Sequence, residues 1–379
     1  MDIKRILTEM IERGASDLHL KVATPPVLRI NGSLVQADYP APTIQEMLAV
    51  TQQILTPGQR ESFERTREID FAFGVPGVAR FRANFYVQRG SVAMVFRHVP
   101  VEIRSPEELG LPTVVKDLAV RPRGMILVTG TVGSGKSTTL ASMVDIINRD
   151  CARHVITIED PIEFLHKDRR SIISQREVGC DTESYSDALR YVLRQDPDVV
   201  LIGEIRDAES MKIALTAADT GHLVLSTMHT TDATQTISRI ISFFPPHQQQ
   251  EIRYLLASTL QAVISQRLVA DVDGLQRYPA CEILITTSTI REYIRDPEKT
   301  VLIRQAIQEG FVQYQMQTFD QSLMQLYREG LVSLDIATRA SSNPHEFLLR
   351  IKGIQGSSDT TWDRFEKETE EESPEITRI

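Results

Sequence analysis

The run Gly130-Thr131-Val132-Gly133-Ser134-Gly135-Lys136-Ser137 fits the pattern G-x-x-x-x-G-K-[ST]. Glycines in such a loop let backbone N–H groups turn inward around phosphate oxygens. The Lys136 ammonium is placed for the β- and γ-phosphates, and the Ser137 hydroxyl for Mg²⁺. Thr138 continues the segment into a helix, whose N-terminal partial charge favours an anion. The chemistry is binding of a nucleoside triphosphate, with ATP and Mg²⁺ as expected cofactors. Three further segments carry groups suited to such a site. Asp198-Val-Val-Leu-Ile-Gly203-Glu204 ends an apolar run in acid, as expected of a strand delivering a carboxylate to Mg²⁺ or its water. Ile156-Thr-Ile-Glu159-Asp160-Pro161-Ile162-Glu163-Phe164 ends in three acids. Carboxylates facing a triphosphate repel it unless they handle water or metal, so one of them, Glu163 first, can polarise an attacking water. Gly221-His222-Leu-Val-Leu-Ser-Thr-Met-His229 brackets a fourth run. His229 follows the strand and can donate to a γ-phosphate. His222 is assigned no role.

These segments require strands that end at one edge of a sheet. The apolar runs Met125–Thr129, Val155–Ile158, Val199–Ile202 and Leu223–Leu225 alternate with helical stretches. That pattern predicts a largely parallel sheet covered on both faces. Residues 250–268 place Ile252, Leu255, Leu256, Thr259, Leu260, Val263 and Ile264 at helical spacing, which predicts one long helix. More helices are expected to about Ile351. Residues 1–98 read differently. An amphipathic helix runs to Gly14, strands follow over 17–22 and 27–30 with Asn31-Gly32 as a hairpin turn, and a helix covers 43–55. Two alternating strands, 79–87 and 91–98, then put Arg80, Arg82 and Asn84 on one face and Phe81, Ala83 and Phe85 on the other. Proline punctuates 99–122, read as an interdomain linker. The expected domains are 1–98, 123–352 and an acidic, disordered tail over 353–379.

The chain has 379 residues and a formal net charge of −9, which speaks against a broad nucleic-acid-binding surface. No apolar run reaches the ~18–20 residues that span a bilayer, so no direct membrane insertion is expected. The N-terminal helix does not read as a targeting segment. Cys151, Cys180 and Cys281 form no C-x-x-C pair, which fits a reduced cytoplasm.

Together, Gly130–Ser137, Glu159–Phe164, Asp198–Arg206 and Gly221–Thr230 resemble the Walker A, Asp-box, Walker B and His-box segments of the secretion-type ATPases. The likeness is strongest to the PilT/PilU branch, the retraction motors of type IV pili. Gly14-Ala-Ser-Asp-Leu-His-Leu20, Ala79-Arg-Phe-Arg82, Phe96-Arg97 and Met316-Gln-Thr-Phe-Asp-Gln-Ser-Leu323 extend it, as does Thr289-Ile-Arg-Glu-Tyr-Ile-Arg295, similar to an element these motors use for retraction. The resemblance implies an α/β chain: a PAS-like N-terminal α+β domain, then a RecA-like P-loop ATPase domain with C-terminal helices. It also implies a homohexamer at the cytoplasmic face of the inner membrane. The implied partners are the pilus inner-membrane platform protein and a paralogous retraction ATPase. Arg80, Arg82 and Arg97 become candidates to contact the γ-phosphate, where an arginine fork suits phosphate oxygens.

The sequence departs from the family pattern at Thr131-Val132, where Pro-Thr is usual, and at Glu292, Tyr293 and Asp296 in the retraction element. His229-Thr230-Thr231 and Asp196-Pro197-Asp198 look PilT-like, whereas the long acidic tail is similar to PilU. The alternative is a pilus-extension or type II secretion assembly ATPase. Those relatives carry an extra N-terminal domain and a four-cysteine zinc module, neither of which is expected here. A nucleic-acid translocase would want a basic, aromatic stripe. A non-hydrolysing scaffold would not need Glu163, Glu204 and His229 together.

Overall fold

Residues 1–352, apart from Asn31, Val101 and Leu275, are described by the computed structural model. The expected acidic tail therefore lies outside the described residues, as does Asn31 of the hairpin turn. The chain divides into two units. The first comprises Met1–Glu102 together with Pro161–Leu165, and the second holds Ile103–Asp160 and the chain from His166 onward.

The first unit runs α1 (Ile3–Glu12), β1 (Asp17–Lys21), β2 (Thr24–Ile30), β3 (Ser33–Gln36), α2 (Ile44–Ile54), α3 (Pro57–Thr66), β4 (Glu68–Val75), β5 (Ala79–Gln88) and β6 (Ser91–Val99). The six strands pair antiparallel in the order β3-β2-β1-β6-β5-β4. Alternation decides the faces: Phe81, Ala83 and Phe85 are buried, and Arg80, Arg82 and Asn84 between them are partly exposed. Phe71, Phe85 and Phe96 meet edge to face, with ring centroids 5.1 and 5.7 Å apart. The helix α3 and the edge strand β4 are not anticipated from the sequence. The helix is polar on most of its surface and buries only Phe63, so its periodicity is weak. What fixes it is a capping box, Thr56 with Gln59, and a proline at its start.

The second unit opens with α4 (Val114–Ala119), β7 (Gly124–Thr129), α5 (Lys136–Asp150), β8 (His154–Glu159), β9 (Ile172–Glu177), α6 (Tyr185–Val192), β10 (Val199–Ile202), α7 (Ala208–Asp219) and β11 (Leu223–Met228). It continues through α8 (Ala233–Ser242), α9 (Pro246–Thr259), β12 (Leu260–Ala270), β13 (Arg277–Ile285), α10 (Ser288–Arg295), α11 (Ile303–Glu309), α12 (Phe311–Tyr314), α13 (Phe319–Arg328), α14 (Leu334–Ala340) and α15 (Pro344–Ile351). The sheet order is β13-β12-β7-β11-β10-β8-β9, parallel except for β13. Two apolar clusters cover it. One gathers Leu127, Val200 and Val224 with α7, α8 and α9, and the other gathers Val128, Leu201 and Leu225 with α4 and α5.

The long helix expected over 250–268 is corrected. The helix ends at Thr259, and Leu260 turns directly into β12 with φ −62° and ψ 127°. Leu260, Ala262, Val263 and Ile264 lie in the sheet between β7 and β13, where they are buried. A continuous apolar run fits a buried strand as well as a helix, and periodicity does not separate the two. Cys281 is buried on β13, and burial pushes its thiol up to about 12. Cys151 is half-buried and Cys180 exposed.

Candidate active site

In the second unit, the parallel register brings four functional segments to the carboxyl ends of β7, β8, β10 and β11. Thr129 of β7 pairs with Met228 of β11, and Ile202 of β10 pairs with Ile158 of β8. The loop after β7, the acids after β8 and β10, and His229 after β11 thus leave the sheet on one edge, where open α/β sheets take their ligands. His222 precedes β11 and lies at its other end. Its Nδ1 meets the Ala217 carbonyl at 2.9 Å and the Thr220 hydroxyl at 3.2 Å, a role in finishing α7.

The glycine-rich loop is built on left-handed backbone at Gly133 and Gly135, with φ +79° and +93°, and on Gly130 at φ +140°. A side chain at Gly130 is excluded twice over, since a Cβ there would lie 2.4 Å from the Gln266 carbonyl oxygen and 2.5 Å from the Ser134 Oγ. Thr131 contributes its carbonyl, and Val132 is 88% exposed, so the unusual pair makes no demand on its side chains. Lys136 Nζ donates to the carbonyls of Gly130 and Thr131 at 2.8 and 2.9 Å. Ser137 and Thr138 stand in the first turn of α5. The next residue, Thr139, exchanges hydrogen bonds through its Oγ1 with the Gln266 amide at 2.8 and 3.1 Å, both side chains buried. This tie between α5 and β12 has no signal in the sequence, because the partners are 127 residues apart.

Glu204 follows β10 through a turn held from both sides. Gly203 N donates to the Ile158 carbonyl at 2.8 Å, and the Gly203 carbonyl accepts from Thr227 Oγ1 at 2.7 Å. The Glu204 carboxylate, largely buried, pairs with Arg206 on one oxygen and lies 3.1 Å from His229 Nε2 on the other. The structure thus joins two of the sequence candidates, Glu204 and His229. It adds Arg206, whose guanidinium is held more firmly charged by Glu204. Glu159 ends β8, and its Oε1 accepts from Thr157 Oγ1 at 2.6 Å and Gln175 Nε2 at 3.2 Å. Tyr185, at the start of α6, is a residue the motifs do not flag. Burial, then the negative charges of Asp160, Glu204 and Glu159, raise its phenol above the ordinary range.

Behind His229, Thr230 and Thr231 lead into α8, whose first residue, Ala233, donates its backbone N–H to Glu282 Oε1 at 2.9 Å. Glu282 lies on β13 with its side chain enclosed. Burial pushes its carboxyl up to about 7, opposed by the Ala233 N–H and assisted by the Asp232 charge.

In the first unit, Arg82 and Arg97 are directly opposed on β5 and β6. Like charges so placed repel, and each is met by an acid. Arg97 Nε donates to Asp17 Oδ1 at 2.8 Å, while Arg82 lies 3.6 Å from Glu163. Arg80 is one alternation away on the same face of β5. Glu163 thus belongs with the N-terminal arginines, whereas Glu159 and Asp160 belong with the second unit. Where the chain returns to the second unit, Asn148 of α5 fastens it. Its Nδ2 donates to the Lys167 carbonyl at 2.7 Å, its Oδ1 accepts from Arg169 N at 3.0 Å, and its own carbonyl accepts from Arg170 N at 2.9 Å.

The type II/IV secretion system protein family matches residues 105–357. The chain belongs to this family. Within it, the chain is 44% identical over 347 residues to the type IV pilus retraction ATPase PilT of Pseudomonas aeruginosa, covering 92% of this chain and 100% of that one. The PilU ATPase of the same organism is 36% identical over 363 residues, covering 95% and 94%. A solved structure of the pilus retraction motor PilT with bound ADP superposes with a TM-score of 0.84 at 46% identity, covering 91% of this chain and 98% of that one. The chain is a PilT-branch secretion ATPase, an α/β protein with an N-terminal domain ahead of a RecA-like domain, and it binds nucleotide and hydrolyses ATP.

Proposed function

We propose that this ATPase drives type IV pilus retraction as a homohexamer, docked from the cytoplasm on the pilus inner-membrane platform protein, with a paralogous retraction ATPase as a second partner. The observation that carries the reading is a likeness to PilT that runs through both units rather than the nucleotide loop alone. Among the described residues no helix is long and apolar enough to cross a membrane, so attachment is assigned to the platform.

In this reading the backbone N–H groups of Gly130–Ser137 wrap the phosphates. Lys136 exchanges the carbonyls of Gly130 and Thr131 for phosphate oxygens, and Thr138 follows in the same turn. The oxygen donors Ser137 and Glu204 suit Mg²⁺, which takes few protein ligands and keeps nucleotide and water for the rest. When bound, that ion neutralises charge developing on the phosphates. Glu204, steadied by Arg206 and His229, would hold the ion or one of its waters. His229 reports the γ-phosphate to Glu204 through their shared contact. Glu163 polarises the attacking water, and Arg80, Arg82 and Arg97 meet the γ-phosphate. Their support is the motifs that hold them and the pairing of Arg82 with Glu163.

Deletion of the gene, scored by microscopy, tests the biological reading. Pili retained without retraction are expected; loss of pili would make this an assembly ATPase instead. For the chemistry, Glu163→Gln and Glu204→Gln should each lower kcat by at least about 10². Near-normal turnover in either would remove that residue from the mechanism.

A further inference from the structure

The Tyr185 side chain leans across the turn that delivers Glu204. Its hydroxyl is so close to Gly203 that a Cβ built on that glycine would lie 2.7 Å away. The same Cβ would be 3.3 Å from the Ile158 carbonyl oxygen and 3.4 Å from the Glu159 Cα. The phenol oxygen is therefore seated over the backbone where β8 and β10 end, beside the two strand ends that carry the acids. The ring packs against the apolar cluster of the sheet, which fixes the direction of the hydroxyl. The charges of Asp160, Glu204 and Glu159 all act on it. None of them accepts its proton directly; among the described residues the hydroxyl has no hydrogen-bond partner within the protein.

A neutral O–H among three carboxylates is a specific choice. A cation there would pair with the acids and quench them, as Arg206 does for one oxygen of Glu204. An apolar ring would offer a water at these strand ends no donor. A phenol keeps its proton at any working pH, adds no charge, and offers one donor on a stiff arm that loses little entropy when it engages.

We infer that Tyr185 is a positioning residue for hydrolysis, its hydroxyl donating to water that the carboxylates of Asp160 and Glu204 hold beside the nucleotide phosphates. The inference deepens the proposed role of Glu204 and rests on it. The donor restricts the orientations of that water beside the phosphates, so it acts on turnover and not on nucleotide capture. It also gives Gly203 a reason: any side chain there would push the phenol away.

The experiment compares the full-length ATPase with Tyr185→Phe and Glu204→Gln. The readouts are kcat, KM for ATP, ADP affinity and the thermal midpoint. Removing the hydroxyl should lower kcat roughly tenfold, the effect of losing a hydrogen bond near charge. KM, ADP affinity and the midpoint should stay within about twofold or 2 °C, since the ring still fills the same space. Unchanged kcat in Tyr185→Phe beside a collapsed kcat in Glu204→Gln would overturn the role of Tyr185 alone. Near-normal kcat in Glu204→Gln would overturn the reading beneath it. A fall in kcat matched by a fall in ADP affinity or midpoint would assign the phenol to packing and also reject the inference.

Discussion

Replacing Gly130 by alanine should separate the geometry of the phosphate loop from its motif. Two penalties can be read at this position. The backbone sits at φ +140°, and a residue with a Cβ held in such a region costs on the order of 1–3 kcal/mol. The new methyl would also lie 2.4 Å from the Gln266 carbonyl oxygen. That atom belongs to the β12 backbone and cannot rotate away, unlike the Ser134 hydroxyl at 2.5 Å. Overpacking of this kind adds about 1–3 kcal/mol. Roughly 3 kcal/mol appearing as displacement of the loop from β12 would weaken nucleotide binding by about 10². The same figure would lower the thermal midpoint by about 6–12 °C. Gly133 is the internal control: its φ is +79°, and nothing lies within 4 Å of a Cβ built on it. Gly133→Ala should meet backbone strain alone, about 1–2 kcal/mol, and lose no more than about thirtyfold in affinity. Titration of a fluorescent ADP analogue with differential scanning calorimetry measures both. Equal losses for the two variants, or ADP binding by Gly130→Ala within threefold of the parent, would refute the contact with Gln266 as the reason for glycine.

Two further outcomes follow from buried polar groups. The Glu282 carboxyl is raised to about 7, above its unfolded value, chiefly by burial. Its contribution to stability is therefore complete below about pH 4.5 and is lost as pH rises through about 7. Glu282→Gln keeps an acceptor for the Ala233 N–H, so its thermal midpoint should gain on the parent between pH 5.5 and pH 8.5; a constant gap would contradict the raised carboxyl. Asn148→Ala leaves the Lys167 carbonyl and the Arg169 N–H without their partner, which should cost about 2–3 kcal/mol. Hydrogen exchange should quicken over 166–171 while β7 stays protected, and uniform acceleration of both would show that Asn148 serves the whole fold instead.

The nucleotide loop, the acid after β10 and His229 were legible because each ends an apolar run, and a parallel sheet brings such ends to one edge. Their contacts follow largely from that register, as between Glu204 and His229. The three acids after β8 show where local reading stops. Glu159, Asp160 and Glu163 are near neighbours in sequence, yet the chain changes unit between the second and the third. No composition or period marks that crossing. The same limit hid the Arg97 partner, Asp17, which lies 80 residues away and is set by the β1–β6 register. The strand β12 was misread for a different reason. Over Leu260–Ile264 it carries apolar residues on both faces, and that pattern is shared by a buried helix. Tyr185 left no trace, since an aromatic residue after a helix cap is ordinary until Gly203 and the carboxylates are placed around it.

The three cysteines supply a built-in clock for opening. The Cys281 thiol is fully enclosed and raised to about 12, so at neutral pH it has neither thiolate nor access for an alkylating reagent. Cys180 is exposed, and its thiol donates to Glu177 Oε1 at 3.4 Å. A maleimide pulse on the native ATPase therefore marks Cys180, and the half-buried Cys151 more slowly, while sparing Cys281. The slow appearance of label at Cys281 then counts how often β13 leaves the sheet, with no engineered reporter.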